Sequence, residues 1–480
     1  MLIQKKRRFF PLETQTKDAF ALFDKKLKIG TSFDMVKRPM VIGGHNAALY
    51  MVDGFVKDEI MEKIMEFLFS ADPAQVDACP DAQSFANRFL SYVEVAAEDD
   101  PDKIITQVLS GTIALVMEQY PQVLMIDART YPSRSVSEPE DDKVLRGAHD
   151  GFVEALVFNT ALIRRRIRDV NLVNEIHTVG QKSKTDVVLC YIEGQADPKL
   201  VVKLQKLLDT LDVNALAMAQ ESLNEALVRS GWYNPFPKVR YTERPDTAAA
   251  SILEGKVAII VDNSPTVMLL PAAVFDFVQE SNDYYFPPLV GTYLRFVRMI
   301  VFLVTIFLTP VWFLLIQNPG WIPPWLDFIK IAEPNTVPIV AQLLIFEIVI
   351  DGLKLASLNT PSALSNSFSV VGALILGEFA VEARWFVPEV ILYMALVAIG
   401  NFTQPSFELG YAFKLIRILL IVLTAIFNLW GFIAGILIML VLLATNRTPA
   451  GTSYLYPLIP FKWSALSRLL IRRKMHRDNN

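Results

Sequence analysis

The chain has 480 residues, too many for one ordinary domain. Its formal charge of -4 offers no basic excess for nucleic acid. Two cysteines without CxxC spacing, Cys79 and Cys190, exclude a disulfide framework and read as buried thiols.

Apolar residues make up 52% of the chain and are unevenly spread. Charged and apolar residues mix up to about Pro288; from Leu289 to Thr445 apolar runs are long and charges sparse. At the N-terminus Lys5-Lys6-Arg7-Arg8 is followed by an apolar stretch that stops at Glu13. A secretory signal needs a longer apolar core, so the first half is expected to stay in the cytosol.

Strands and helices alternate through that half. Strands are predicted at Ala48–Val52, Val123–Ile126, Val187–Ile192, Val257–Val261 and Val267–Leu270, apolar β-branched runs that mostly end at Asp, Gly or Pro. Helices are predicted at Asp58–Phe69, Asp81–Leu90, Asp102–Leu109, Pro198–Leu211, Met218–Val228 and Asp246–Leu253, several of which open with an acid or proline. The pattern is α/β. Arg129–Asp142 reads as a loop between two subdomains, with boundaries expected at 1–130 and 131–288.

From 289 to 446 the expectation is an all-α transmembrane bundle of four to six helices, and from 447 to 480 a basic cytosolic tail. About 20 apolar residues cross the hydrocarbon core. Met299–Ile316 is uncharged and broken only by Pro310; Arg295 and Arg298 precede it, and Trp321 and Trp325 follow. Positive-inside asymmetry puts its start in the cytosol. Further apolar regions are Val337–Ile350, Val370–Val381, Trp385–Phe402 and Phe413–Thr445. The last would run to roughly 50 Å as one helix. Basic residues at both its ends favour two short helices turning near Asn428, Trp430 and Gly431, with one long tilted helix as the rival.

Acids at bilayer depth need water or a partner. Glu347 and Asp351, four residues apart, share a helix face, and Glu378 lies among small residues. These three are the candidate ion-path carboxylates, an acidic lining that would favour cations. The competing reading makes them interfacial acids or neutral ones bonded between helices. Arg164, Arg165, Arg166 and Arg168 are the candidate contacts for assembly or lipid headgroups, against a plain solvated or ion-paired helix face. His45, His149, His177 and His476 show no zinc spacing, and no P-loop, GxSxG or GxGxxG sequence occurs. No enzyme site, cofactor or metal is expected.

Four ordered stretches resemble a known family. The first is Gly30-Thr31-Ser32 with Asp34, then Ile42-Gly43-Gly44 and Asp53-Gly54. The second runs through Arg134-Ser135-Val136 and Asp150-Gly151-Phe152 to Asn159–Arg168. The third is Tyr241–Asp246, continuing to Val261-Asp262-Asn263-Ser264-Pro265. The fourth is Gly372–Glu378 with Phe386–Tyr393. In this order they resemble the A subunits of the GerA family of spore germinant receptors, over nearly the whole chain. The resemblance implies a multi-pass protein of the bacterial endospore inner membrane. It implies homo-oligomeric rings that conduct ions on germination, with other spore membrane proteins and lipid as partners. The form it most resembles stands outside the nutrient-sensing operons and amplifies ion release. The alternatives are a subunit that itself responds to nutrients, a non-conducting scaffold, and a secondary transporter.

Overall fold

The computed structural model describes residues 16–56, 58–90, 92, 94–129, 147–227, 233–280, 282–332, 336–359 and 380–472. They divide into two compact units. One holds residues 1–229 and 239–271, the other residues 230–238 and 272–480.

The first unit contains two five-stranded antiparallel sheets. In the first, β1 (Met35–Ile42), β2 (His45–Val52), β3 (Val95–Glu98), β4 (Ile113–Met117) and β5 (Val123–Ile126) stand in the order β1-β2-β4-β5-β3. Helices α2 (Asp58–Phe69), α3 (Pro73–Asp77) and α4 (Ala82–Phe89) cover one face, with Leu68, Val76 and Phe85 against Leu49, Leu115 and Leu124. Helices α1 (Thr16–Lys26) and α5 (Pro101–Leu109) cover the other, with Phe23 and Val108 against Tyr50, Val116 and Met125. Because both faces are covered, β4 and β5 are buried along their whole length and carry no polar alternation.

The second sheet repeats the first. It is preceded by α6 (Leu156–Arg166). Its strands β6 (Leu172–Val179), β7 (Thr185–Ile192), β8 (Arg240–Thr242), β9 (Val257–Val261) and β10 (Val267–Leu270) stand in the order β6-β7-β9-β10-β8. Helices α7 (Pro198–Thr210), α8 (Ala219–Leu227) and α9 (Pro245–Leu253) fall at the corresponding points in the chain. The register repeats as well. Ile113 pairs with Ile126 and Val257 with Leu270, a displacement of 144 residues at both ends (257 − 113 and 270 − 126). Glu98 with Val123 and Thr242 with Val267 show the same displacement.

The second unit is helical: α10 (Asn282–Tyr285), α11 (Pro288–Gln317), α12 (Ile339–Asn359), α13 (Ala380–Glu382), α14 (Pro388–Phe402), α15 (Phe407–Thr445) and α16 (Trp463–Leu470). Among the described residues, α11 and α15 are long and apolar enough to cross a membrane. α12 carries Glu347, Asp351 and Lys354, and α14 has 15 residues, about 22 Å. Most of the Val370–Val381 stretch lies outside the described residues.

The long apolar run at the C-terminal side is two helices, as its flanking charges predict. Asn428 breaks α15 with a left-handed φ of +52°. The limbs fold back as a hairpin in which Leu420, Ile416 and Phe413 pack with Ile436, Met439 and Leu443. The limbs, 407–427 and 429–445, run to roughly 25–32 Å each, matching a hydrocarbon core of about 30 Å. At the turn, a Cβ on Gly431 would stand 1.9 Å from the Leu423 carbonyl oxygen, whereas one on Gly435 would meet the mobile end of Leu420. Asn318, after α11, and Asn428 bond reciprocally through their amides at 2.6 and 3.1 Å.

This contrast between the glycines predicts that Gly431→Ala destabilises the detergent-solubilised chain by about 1–3 kcal/mol, as overpacking against fixed backbone does. Gly435→Ala is expected to cost less, because a leucine tip can turn aside. Thermal unfolding followed by size-exclusion fluorescence compares the two; equal loss would contradict the hairpin geometry.

Candidate functional site

The four arginines read from the sequence do not form one patch. Arg164 is buried in the last turn of α6, a favourable place for a cation because helix carbonyls point there. Its Nε donates to Asp34 Oδ2 at 2.9 Å and its Nη2 to Asp34 Oδ1 at 3.2 Å. Further bonds run to the carbonyls of Asp169 and Leu172, at 3.1 and 3.0 Å. Asn174 Nδ2 donates to Asp34 Oδ2 at 2.9 Å, and Ser32 Oγ to Asp34 Oδ1 at 2.5 Å. Arg164 therefore joins the segment before β1 to the second sheet, and cannot reach lipid headgroups. Arg166 is half-buried and pairs with Asp150 at 2.6 Å. Arg165 and Arg168 are exposed.

Parts of the first three stretches that carry the family resemblance come together in this unit. Gly54, at φ +78°, turns the chain where a Cβ would stand 3.0 Å from Val157 of α6. Asp262 Oδ1 accepts from the Leu156 amide at the N-terminus of α6, and Asn263 donates its amide to the Glu154 carbonyl. Arg244, fully buried, pairs with Asp246 at 2.6 Å. Cys190 lies in the same core, where burial pushes its thiol pKa up.

In the helical unit Glu347 and Asp351 do share one face of α12, but they face cations. Arg417, on the first limb of α15, grips Glu347 with two bonds, Nε to Oε1 at 2.6 Å and Nη2 to Oε2 at 2.9 Å. Its Nη1 donates to the Thr305 carbonyl of α11 at 2.7 Å. Lys414, one turn earlier, reaches Asp351 Oδ2 at 2.5 Å and the Glu347 carbonyl at 2.8 Å. Arg417 is 1% exposed and Glu347 2%. Asp351 is a third exposed at its side chain, and its Oδ1 has no hydrogen-bond partner among the described residues. Lys354 adds a third cation, 4.9 Å from the Phe402 ring centre and 5.3 Å from that of Tyr411.

The cluster thus holds two acids and three bases, a formal charge of +1. An isolated carboxylate at this depth would cost at least ~2.5 kcal/mol. The pairing offsets that cost for Glu347 and ties α11, α12 and α15 at one level. Arg417 stands eleven residues before Asn428, about 16 Å along the helix. Glu378, the third acid read from the sequence, lies outside the described residues. Sequence reasoning treated Lys414 and Arg417 as flanking charges and so missed them as partners. The available signal was complementary spacing: bases three apart on one helix, acids four apart on another.

The family described as Bacillus/Clostridium GerA spore germination protein matches residues 23–480 of this chain. Stage V sporulation protein AF of Bacillus subtilis (strain 168) is 40% identical over 450 residues, covering 94% of this chain and 91% of that protein. Spore germination protein KA of the same strain is 30% identical over 454 residues, covering 93% and 82%. Among solved structures, the N-terminal domain of the A subunit of the Bacillus megaterium spore germinant receptor GerK3 aligns at 26% identity. That alignment has a TM-score of 0.42 and covers 55% of this chain and 97% of that one.

The Arg164 joint yields a stability test. Arg164→Ala leaves Asp34 buried without its cation and is expected to cost about 3–5 kcal/mol. Exposed Arg168→Ala should stay within about 0.5 kcal/mol of the parent chain. Urea unfolding of the detergent-solubilised chain measures both, and similar midpoints for the two variants would contradict the joint.

Proposed function

The chain belongs to the GerA family of spore germination proteins, and from that premise we propose that it is a subunit of an ion-conducting ring in the inner membrane of the bacterial endospore. The N-terminal unit lies on the cytosolic, spore-core side and holds neighbouring subunits in register. The helical unit crosses the bilayer several times, with α11 and the α15 hairpin as its longest apolar elements. The one observation that carries this reading is the charge cluster of α12 and α15. Five ionisable side chains about half-way along membrane-length helices are expensive, and such groups mark ion paths or relays by default.

Within the cluster the roles differ. Glu347 is spent on Arg417 and serves the fold. Asp351 is a third exposed at its side chain and pairs with Lys414 through Oδ2, while its Oδ1 is buried without a hydrogen-bond partner among the described residues; of the two acids it is the one assigned to meet a passing ion. Glu378 is assigned to the same path on its sequence context of small residues. A heterologous contact between subunits closes the ring. Relatives named for sporulation and for germination both align along the chain, in keeping with a role in ion release as the spore germinates.

Planar-bilayer recording of the purified oligomer tests this. Asp351→Asn is expected to lower the cation-to-anion permeability ratio by about fivefold, from the ~1 kcal/mol one charge exerts at about 4 Å in water. Glu378→Gln should shift it the same way. Glu347→Gln should instead reduce the yield of folded protein. An oligomer that passes no current would make the chain a scaffold, and unchanged selectivity in both Asp351→Asn and Glu378→Gln would remove the acidic path.

A further inference from the structure

After the hairpin ends at Thr445 the chain turns back and is held at two points. Tyr454 is buried with Phe236 and Phe277, and its carbonyl accepts from the Val274 amide at 2.9 Å. Further on, the Leu469 carbonyl of α16 accepts from Arg295 Nη1 of α11 at 3.1 Å, and the Arg472 amide donates to Thr292 Oγ1 at 3.2 Å. Gly291 permits this approach: a Cβ there would stand 2.5 Å from the Asp283 carbonyl oxygen and 2.9 Å from Arg472 Cδ. The segment is therefore strapped to the first turns of α11.

Between the two anchors, residues 458–464 are all exposed, and most of them are apolar. Ile459 is 53% exposed, Phe461 64% and Trp463 65%. Water is a poor solvent for so dense a run. The charge around it has one sign. From Leu455 to His476 the sequence contains Lys462, Arg468, Arg472, Arg473, Lys474 and no acid. Lys462 Nζ lies 5.8 Å from the Tyr456 ring centre, above the same exposed run.

The height of this run along α11 identifies what covers it. From Thr292 to Asn318, the helix rises about 40 Å, close to the full thickness of a bilayer with its headgroups. At the far end Trp321, Trp325, Phe328 and Trp385 are exposed, a belt of the kind that sits at a membrane surface. Thr292 and Arg295 then stand at the opposite surface, where Leu469 and Arg472 hold the end of the segment that carries residues 458–464.

We propose that residues 456–464 form a wedge that inserts into the cytosolic leaflet and binds anionic phospholipid. Phe461, Trp463, Leu458 and Ile459 enter the acyl boundary, while Lys462 meets the headgroup phosphates. The wedge rests on the reading that the helical unit spans a bilayer.

The test uses the full chain in nanodiscs of phosphatidylcholine alone or mixed with phosphatidylglycerol. Phe461→Cys carries an environment-sensitive NBD label; Cys79 and Cys190 are buried, and the unmodified chain serves as the labelling blank. Leu437→Cys, exposed on the second limb of α15, is the control for the membrane span itself. The expected result is that lipid with a shallow nitroxide quenches the label at 461 at least about twofold. Quenching should be stronger in the anionic discs, and Lys462→Glu should abolish that difference. Quenching by aqueous iodide at 461, with lipid quenching intact at 437, would overturn the wedge and leave the span standing. Protection at 461 from both quenchers would mean that protein covers the run and would overturn it too. Equal lipid quenching in both disc types would overturn the anionic assignment. Loss of lipid quenching at both sites would instead refute the bilayer span.

Discussion

A guanidinium clasping a carboxylate deep among apolar helices is the constraint on which the helical unit depends. Arg417 brings Glu347 of α12 and the Thr305 carbonyl of α11 onto the first limb of α15, all at one level. Neither charge could stay there alone. Removing one partner of a buried pair leaves the other uncompensated, a larger loss than the pair is worth as a whole. The position on α11 is also notable chemically. Pro310 has no amide to give the Ile306 carbonyl, so the helix is already interrupted in the turn where Arg417 binds. The pair therefore sets the register among three helices at a point where one of them is weak.

This pairing changes what the acids can contribute to an ion path. Two bare carboxylates would make a strongly negative lining. Two carboxylates with Lys354, Lys414 and Arg417 make a site of formal charge +1, in which the buried Oδ1 of Asp351 has no hydrogen-bond partner among the described residues. In the ion path proposed above, a passing ion would compete with Lys414 for Asp351. The ends of the unit carry the complementary features. The reciprocal amide pair of Asn318 and Asn428 closes the tip of the hairpin against α11, and the strapped C-terminal segment anchors the opposite end.

Much of the N-terminal unit was legible, and the misses have physical causes. The predicted strands at Val123–Ile126, Val257–Val261 and Val267–Leu270 coincide with β5, β9 and β10, because strands covered on both faces are continuous apolar runs. Two of the unread strands show why. β1 contains Pro39, which an edge strand tolerates and a pattern rule rejects. β4 mixes the helix formers Ala114, Leu115 and Met117 with Ile113 and Val116, and pairing with β2 and β5 decides for the strand. α6 was missed because its buried face includes Asn159, Thr160 and Arg164, polar residues that read as surface until their partners are known. The duplication of the sheets is almost silent in the letters. Pro-Asp opens both α5 and α9, and Gly111 and Gly255 follow them at equal distance, but the strands share only their apolar character. In the helical unit the break near Asn428 was legible from charge at both ends. The partners of Glu347 were not, because a base beside an apolar run reads as a flank until a third dimension shows what it faces.

The most direct test of the paired core is a double-mutant cycle on Glu347 and Arg417, with each replaced by leucine singly and together, read as unfolding free energy in a bilayer mimic. The account predicts that each single change costs about 3–5 kcal/mol and that the double variant recovers most of it, because an apolar pair can stand where an ionic pair stood. Costs that simply add, or single variants as stable as the parent, would contradict it.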